Sequence, residues 1–328
     1  MIRFLLSLLF RFVGKSRIFL YSIGFLKTYS VPQKVISIGN ITVGGAGKTP
    51  MALLLNERLA SRGLKTAIIE KGYKSGLKHK EIILAQKGKE TLDDVKIGDE
   101  PLMIWNNLSN GTRLAIAKDK TNAAIAISTR WPDTDTIILD DGFQHLKLRR
   151  DVNLVLIDAS LGMKDKLMPL GRLREPYNSL KRADIVLLTK SDAVDSVERE
   201  QLVKKINGIN KKVKIFFSTI KFITSIPISG KNVFPVSAIY NPSHFHRNIR
   251  EAGAIFTRYI SLSDHYRFNS KLLSDILQEA SQNGAESLIV TSKDLVKIRP
   301  YLDDTSKIVE AWYEHKIEDE EGFIKCFL

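Results

Sequence analysis

Short apolar runs alternate with segments of helical spacing between residue 35 and about residue 218. Near-continuous apolar strands separated by helices are typical of a mostly parallel sheet that is covered on both faces. The predicted strands are 35–39, 66–73, 113–117, 135–142, 152–159, 184–190 and 213–218, and the helical segments include EPLMIWNNL and KTNAAIAIST. The pattern predicts an α/β domain, although it does not give the order of the strands.

The pattern changes after residue 218. The segment TIKFITSIPISGKNVFPVSAI predicts two short β segments around a Ser-Gly-Lys turn. It is followed by a helix near 242–257, a helix at 270–282, the strand ESLIVTSKD and the closing segment KIVEAWYEHKIE. We therefore predict a larger α/β domain at 31–220 and a smaller α/β domain at 221–328, joined by a short β hinge.

The N-terminal region, residues 1–30, is apolar but interrupted by basic residues, including Arg11, Lys15 and Arg17. Its uncharged runs are too short for a membrane-spanning helix, which needs about 20 apolar residues. No small-residue cleavage site follows, as a signal peptide would require. Basic residues among Phe, Leu and Ile are typical of an amphipathic helix that lies on a membrane surface. The alternative is a helix packed on the protein's own core.

The charge of the chain narrows the range of partners. A net charge of +14 and a pI near 9.6 favour binding to nucleic acid, an anionic membrane surface or acidic substrates. The only cysteine, Cys326, excludes an internal disulfide and a zinc site with several cysteine ligands.

The strongest chemical signal is VISIGNITVGGAGKTP, an apolar strand that leads through a glycine-rich turn into a helical segment. Backbone N–H groups of such a turn bind phosphate, the lysine reaches the β- and γ-phosphates, and the threonine hydroxyl binds Mg²⁺. Thr42 stands where the usual pattern has its first glycine. The predicted phosphate loop consists of Thr42, Val43, Gly44, Gly45, Ala46, Gly47, Lys48 and Thr49. An ordinary glycine-rich turn is the alternative.

The segment DDGFQH directly follows the predicted strand TIIL. Ligands bind at the C-terminal ends of parallel strands, and a carboxylate there can hold Mg²⁺ directly or through water. The sequence predicts such a site at Asp140 and Asp141. The alternative is an aspartate that only caps the turn.

Four further segments carry weaker signals. Asp99 in GDEP begins a predicted helix, where it is either a helix cap or a functional carboxylate. Arg174 and Glu175 in LGRLREP lie in a charged loop that is either functional or simply solvated. His265 in DHYRF is either a functional or a structural histidine. TKSD, residues 189–192, is similar to the guanine-reading motif of GTPases with Thr in place of Asn.

The order of these segments resembles the tetraacyldisaccharide 4′-kinase family of P-loop proteins. The matching segments are GNITVGGAGKTP, KGY, GDEP, DDGFQH, LREP, NP followed by Phe, DHYRF and TSKD, spread over nearly the whole chain. The resemblance implies transfer of the γ-phosphate of ATP, with Mg²⁺, to the 4′-hydroxyl of a tetraacyldisaccharide 1-phosphate in lipid A biosynthesis. It also implies a peripheral protein at the cytoplasmic face of the bacterial inner membrane, which we expect to be a monomer that binds no nucleic acid.

The resemblance also implies roles for individual residues. Lys48 and Thr49 would serve the phosphates and Mg²⁺, and the acidic metal site would be formed by Asp140 and Asp141. The remaining residues implied in the active site are Gln144 and His145 beside the transferred phosphoryl group, Arg174 and Glu175 in the cleft, Asp99 as the base paired with His265, and Tyr73 and Lys120 towards the substrate. We expect Asp99 in the larger domain and His265 in the smaller one, so that the pair forms when the domains close.

Two positions depart from the family pattern. Lys71 precedes Gly-Tyr where relatives often have arginine, and Lys118 and Lys120 stand where an arginine is expected. Lysine keeps the charge but loses the bidentate geometry of arginine. Either of Lys118 and Lys120 is therefore a candidate for the contact with the substrate phosphate.

Two other classes of function remain as alternatives. A GTPase or nucleotide-dependent switch would use the phosphate loop together with TKSD. A basic nucleic-acid-binding protein would concentrate basic and aromatic residues in one groove, whereas here they concentrate in the apolar N-terminus.

Overall fold

The computed structural model describes residues 2–72, 76–92, 97–239, 241–264, 266–302 and 304–328. The chain divides into two compact units. The larger unit comprises Met1–Ile97, Asn107–Ile220 and His315–Leu328, and the smaller unit comprises Gly98–Asn106 and Lys221–Glu314.

The helices and strands of the described residues are numbered in chain order. The helices are α1 (Ile2–Ser22), α2 (Lys48–Ala60), α3 (Asp99–Asn106), α4 (Lys120–Arg130), α5 (Ser196–Ile209), α6 (Pro242–Glu251), α7 (Ser270–Gln282), α8 (Ser292–Ile298) and α9 (Glu320–Lys325). The strands are β1 (Lys34–Asn40), β2 (Thr66–Glu70), β3 (Ile82–Gln86), β4 (Arg113–Ala117), β5 (Thr136–Leu139), β6 (Val152–Asp158), β7 (Ile185–Thr189), β8 (Lys214–Thr224), β9 (Val233–Ser237), β10 (Ile260–Ser261), β11 (Ser287–Thr291) and β12 (Ile308–Ile317).

The larger unit is built on a sheet with the strand order β8-β7-β6-β1-β5-β2-β4-β3. From β8 to β4, each neighbouring pair in this order is parallel, and β3 pairs with β4 in the antiparallel direction. Helix α1 belongs to this unit, and its Ser7 hydroxyl donates a hydrogen bond to the Leu167 carbonyl at 3.2 Å. The predicted mostly parallel α/β sheet is confirmed.

The central strands are buried because apolar side chains fill both of their faces. Every residue of β2, β4, β5 and β7 is buried. Strand β1 pairs with β5 on one side and with β6 on the other, so the segments that follow β1 and β5 leave the sheet next to each other. This adjacency positions the chemistry of the larger unit, because parallel strands end at the same edge of the sheet.

The smaller unit has a parallel sheet in the order β10-β9-β11-β12. Its core includes Phe234 and Val236 of β9, Leu273 of α7 and Leu295 of α8. Helix α3 packs against α8 within this unit. Strands β8 and β12 each have residues in both units.

The elements differ from the predicted ones in several places. The antiparallel strand β3 was not predicted from EIILAQ. The predicted strand at 213–218 and the first predicted β segment of the hinge form a single strand, β8. Helix α6 ends at Glu251 rather than near 257, and the TSKD segment that follows β11 begins helix α8, where the Thr291 hydroxyl accepts from the Asp294 amide.

The boundary between the units falls between residues 220 and 221, and two segments are assigned differently from the predicted division. Residues 98–106 belong to the smaller unit, and residues 315–328 belong to the larger one. The first difference follows from the packing of α3 on α8, which the sequence pattern does not show.

Helix α1 is apolar and exposed. Its exposed residues include Phe4, Leu5, Leu8, Leu9 and Phe12, with 46% to 70% of their surface accessible. Within the described residues, no helix is both long and apolar enough to cross a membrane.

Candidate active site

The predicted phosphate loop joins strand β1, which ends at Asn40, to helix α2, which begins at Lys48. Gly47 is the N-cap of α2, with a left-handed backbone at φ 81° and ψ 26°. Gly44 has φ 122°. A residue with a side chain would be strained at both angles. The glycines therefore permit the turn that presents backbone N–H groups to an anion at the N-terminus of the helix.

The start of the loop pairs with the LREP segment. The Val43 amide donates to the Arg172 carbonyl at 2.7 Å, and the Arg174 amide donates to the Ile41 carbonyl at 2.7 Å. Thr42 forms an antiparallel bridge with Leu173. A β-branched residue suits such an extended pairing, and no glycine is needed there. This pairing explains why a threonine can stand at the first position of the loop, and it brings Arg174 to the loop.

The end of the loop meets the carboxylate that follows β5. The Thr49 hydroxyl donates to Asp140 Oδ2 at 2.7 Å. Asp140 is 3% exposed, and its Oδ1 is buried without a hydrogen-bond partner in the described part of the chain. A buried carboxylate oxygen with no donor, beside a threonine hydroxyl, fits a hard divalent cation. Lys48 Nζ donates to Asn40 Oδ1 at 3.3 Å.

Asp141 pairs with cations rather than with Thr49. Its carboxylate accepts from Arg174 Nη1 at 2.9 Å and lies 3.6 Å from Lys48 Nζ. Burial by itself would raise the pKa of Asp141, but Lys48, Arg174 and Lys120 outweigh it and hold the pKa below its ordinary value. Asp141 has φ 49°, an uncommon conformation for a residue with a side chain.

Lys120 is buried, with 4% of its surface exposed. Its ammonium donates to the main-chain carbonyls of Asp140 and Asp141, the latter at 3.1 Å. This placement differs from the predicted contact with the substrate phosphate, because the ammonium faces the chain itself. Lys118, the other candidate, is exposed.

Gln144 and His145 follow the two aspartates. Gln144 Nε2 donates to the Asn40 carbonyl at 3.0 Å and so braces the end of β1. His145 Nε2 is 2.8 Å from the Thr121 hydroxyl. Burial, and then the nearby Lys120 ammonium, lower the pKa of His145 to about 4. The imidazole is therefore neutral at pH 7.

Glu175 is buried and forms an ion pair with Arg182, whose guanidinium lies over the Phe143 ring at 4.4 Å. Its carboxylate therefore has a structural partner, while Arg174 beside it faces Asp141. The LREP loop is thus not simply solvated.

Asp99 lies in the smaller unit, at the start of α3. Its Oδ2 is 3.8 Å from Lys293 Nζ, which is also 3.6 Å from Glu100 Oε1 and 3.2 Å from Asp264 Oδ1. The prediction that Asp99 belongs to the larger domain is wrong, because its helix packs on α8. Asp264 precedes His265 in the chain, so this cluster brings Asp99 to the DHYRF segment within one unit.

Two predicted site residues, Tyr73 and His265, lie outside the described residues. The side chains that contact the site residues but were not singled out from the sequence include Asn40, Lys293 and His315. Asn40 and Lys293 lie inside the matched segments GNIT and TSKD, which are the signals that identify them. His315 has no such signal.

The sheet, the loop and the Lys48–Thr49–Asp140 arrangement define a P-loop nucleotide-binding protein. The model of the tetraacyldisaccharide-1-P 4′-kinase family, LpxK, matches residues 2–327, and the chain belongs to this family. The predicted family and the kinase class are confirmed.

Relatives and a solved structure are similar over most of the chain. The tetraacyldisaccharide 4′-kinase of Desulfotalea psychrophila is 34% identical over 306 residues, covering 89% of this chain and 86% of the relative. That of Elusimicrobium minutum is 35% identical over 293 residues, covering 85% and 77%. A crystal structure of LpxK from Aquifex aeolicus, described as the "apo" form in complex with ATP, has a TM-score of 0.78 and 26% identity, covering 98% of this chain and 95% of that one.

Proposed function

We propose that this kinase transfers the γ-phosphate of ATP to the 4′-hydroxyl of a tetraacyldisaccharide 1-phosphate, giving lipid IVA, at the cytoplasmic face of the bacterial inner membrane. The observation that supports it best is the hydrogen bond from the Thr49 hydroxyl to Asp140 at the mouth of a phosphate loop, in a chain of this family. The ATP complex of the Aquifex relative supports the choice of nucleotide.

The loop and Lys48 are proposed to bind the phosphates of ATP. Phosphoryl transfer depends on positioning and on stabilisation of the charge that grows on the phosphate oxygens. Lys48 lies between Asn40 and Asp141, at 3.3 Å and 3.6 Å, which holds its ammonium at the loop until phosphate oxygens replace these contacts. Lys48 and then Arg174 hold the pKa of Asp141 below its ordinary value against the effect of burial, and Arg174 presents a second cation beside the loop.

Asp140 and Thr49 would hold Mg²⁺. The unpartnered Oδ1 of Asp140 and the adjacent hydroxyl are the donor set that favours it, and Asp141 is engaged by Arg174. When bound, Mg²⁺ would neutralise charge on the β- and γ-phosphate oxygens. Within the described residues, no group of three or more His, Cys, Asp or Glu side chains offers a separate metal site. A P-loop metal needs fewer protein ligands because phosphates supply the others.

Asp99 is proposed as the base that takes the proton of the acceptor hydroxyl, with His265 as its partner. Its carboxylate is largely buried, with 11% of the side chain exposed, and Lys293 lies close to it. A positioned carboxylate can accept the hydroxyl proton as the new bond forms, as the catalytic aspartate does in protein kinases. Tyr73 is proposed to belong to the substrate region, and the exposed Lys118 is proposed to contact the disaccharide phosphate.

Helix α1 is proposed to bring the enzyme to its lipid substrate. Its exposed Phe and Leu side chains alternate with Arg3, Arg11, Lys15 and Arg17, the combination that favours an anionic bilayer surface. The acyl chains of the substrate remain in the bilayer, so the protein must work at that surface. We propose a peripheral monomer.

The test is a transfer assay with γ-labelled ATP, Mg²⁺ and detergent-dispersed tetraacyldisaccharide 1-phosphate. We expect label in the lipid with the wild type, and its loss with Lys48→Ala and with Asp99→Asn. An unlabelled lipid together with GTP hydrolysis would overturn the proposal in favour of the nucleotide-dependent switch.

A further inference from the structure

His315 contacts the phosphate loop from outside the segments that define the family. Its Nε2 is 2.8 Å from the carbonyl oxygen of Gly47, and its Nδ1 is 3.1 Å from the Ser218 hydroxyl. All three residues belong to the larger unit, and His315 is 5% exposed. We propose that His315 is a positioning residue for the nucleotide, acting through the Gly47 carbonyl.

The partners of the imidazole determine its tautomer. A carbonyl oxygen can only accept, so Nε2 must carry the proton and donate to Gly47. Nδ1 then accepts from the Ser218 hydroxyl. Burial lowers the pKa of His315 despite its hydrogen bond to Gly47, which is consistent with this neutral form. The Gly47 carbonyl thus selects the tautomer, and the Ser218 hydroxyl donates to the other ring nitrogen and holds the imidazole in this orientation.

The direction of the Gly47 carbonyl fixes a phosphate-binding amide. The C=O of Gly47 and the N–H of Lys48 belong to one planar trans peptide and point in opposite directions. Holding the carbonyl therefore aims the Lys48 N–H, one of the helix N-terminal donors without an intrahelical partner. The same carbonyl also accepts from the Met51 amide at 3.0 Å, so one peptide plane is held from the helix and from His315.

The fit around Gly47 is close. A Cβ built on Gly47 would lie 2.5 Å from His315 Nε2, in addition to the strain of its φ of 81°. The imidazole therefore lies directly against the main chain of Gly47 and excludes a side chain at this position. Without His315, we expect the peptide to sample other directions, which costs nucleotide affinity because ordering must then occur on binding.

The inference rests on the proposed binding of ATP by this loop. Its test compares His315→Ala, His315→Gln and Ser218→Ala with the wild type, and uses His79→Ala, an exposed histidine, as the matched control. The Gln amide nitrogen reaches about as far as Nε2 and can donate to the carbonyl. The quantities to be measured are the KM for ATP and kcat in the transfer assay, the Kd for Mg-ATP by titration calorimetry, and the melting temperature without nucleotide.

We expect His315→Ala to raise both the KM and the Kd for ATP about five- to tenfold, the loss associated with one hydrogen bond, with a smaller change in kcat. His315→Gln should recover most of the affinity, Ser218→Ala should lie between wild type and His315→Ala, and His79→Ala should be unchanged. If His315→Ala does not fold, Ser218→Ala decides by the same affinity readout.

Two results would overturn the inference. One is unchanged ATP affinity in the folded variants, even with a lower melting temperature, because a purely structural role would do this. The other is a Gln variant no better than the Ala variant. A wild type that does not bind Mg-ATP would instead overturn the proposed function.

Discussion

Lys293 Nζ lies 3.8 Å from Asp99 Oδ2, which joins the TSKD segment to the GDEP segment within the smaller unit. The same ammonium also lies within 4 Å of Glu100 and Asp264. One cation thus offsets the repulsion among three carboxylates, one of which is the proposed base. Lys293 has further interactions besides these ion pairs.

We expect Lys293→Met to lower kcat by about tenfold, because the carboxylates would repel one another and displace Asp99 from its position. Lys293→Arg should retain most of the activity. The measurement is kcat for lipid phosphorylation, with the exposed Lys271→Met as the matched control. A normal kcat in Lys293→Met would show that the cluster does not position the base.

Asp140→Asn should abolish most of the activity. The amide keeps the shape of the side chain but removes the negative charge of the carboxylate whose Oδ1 is unpartnered. We expect a fall in kcat on the order of a hundredfold at a fixed Mg²⁺ concentration, with partial recovery at higher concentration. The measurement is a Mg²⁺ titration of the transfer rate, with the exposed Asp275→Asn as control. The same Mg²⁺ dependence in Asp140→Asn and wild type would rule out Asp140 as a ligand.

His145 should make the protein less stable in acid. Its pKa is about 4 in the folded protein against an ordinary 6.5, so between these values the unfolded chain binds the extra proton. Its contribution to stability is complete above about pH 6.5 and is lost as the pH falls towards about 4. Urea unfolding between these pH values should show a smaller pH dependence in His145→Gln than in wild type. Equal pH dependence would contradict the buried neutral imidazole.

Substitution of Lys118 and substitution of Lys120 should have different effects. Lys118→Ala should raise the KM for the lipid several-fold, because an exposed ammonium that contacts a phosphate acts in binding. Lys120→Ala should lower the melting temperature, because the buried carbonyl of Asp140 and the partly buried carbonyl of Asp141 would lose their donor. Kinetics and thermal unfolding of both variants check this. A KM effect confined to Lys120→Ala would contradict the assignment of Lys118 to the substrate.

Leu9→Asp and Phe12→Asp should weaken binding to anionic vesicles by about tenfold or more each, because a charge replaces an apolar side chain at the proposed bilayer contact. Flotation with vesicles of phosphatidylglycerol and phosphatidylethanolamine measures this. Val197→Asp, on the exposed face of α5, is the control. Unchanged flotation of both α1 variants would show that α1 does not make the contact.

The hydrophobic pattern determined most of the larger sheet. Strand β4 and helix α7 occupy the predicted residues, and the other predicted strands differ mainly at their ends. Long apolar runs and glycine-rich turns are local signals, because the backbone conformation depends on neighbouring residues. Strand β3 was missed although residues 82–85 form an apolar run; it is a partly buried edge strand that pairs with β4 in the antiparallel direction.

The phosphate loop was also a local signal, since strand, glycines, Lys48 and Thr49 are consecutive. Asp140 could be placed beside it only as a strand-end carboxylate, and the adjacency of β1 and β5 decided the contact. Thr42 departs from the usual phosphate-loop sequence, which has a glycine at this position. Its bridge to Leu173, a distant residue, supplies the reason why glycine is not required there.

What the sequence alone determined is the α/β class, the loop and the family to which the motifs belong. The tertiary structure decided which charges meet: Asp141 with Arg174, Lys120 with the aspartate carbonyls, Lys293 with Asp99 and His315 with Gly47. These contacts join residues far apart in the chain. Short-range periodicity and turn chemistry do not encode them, because they depend on how the elements pack.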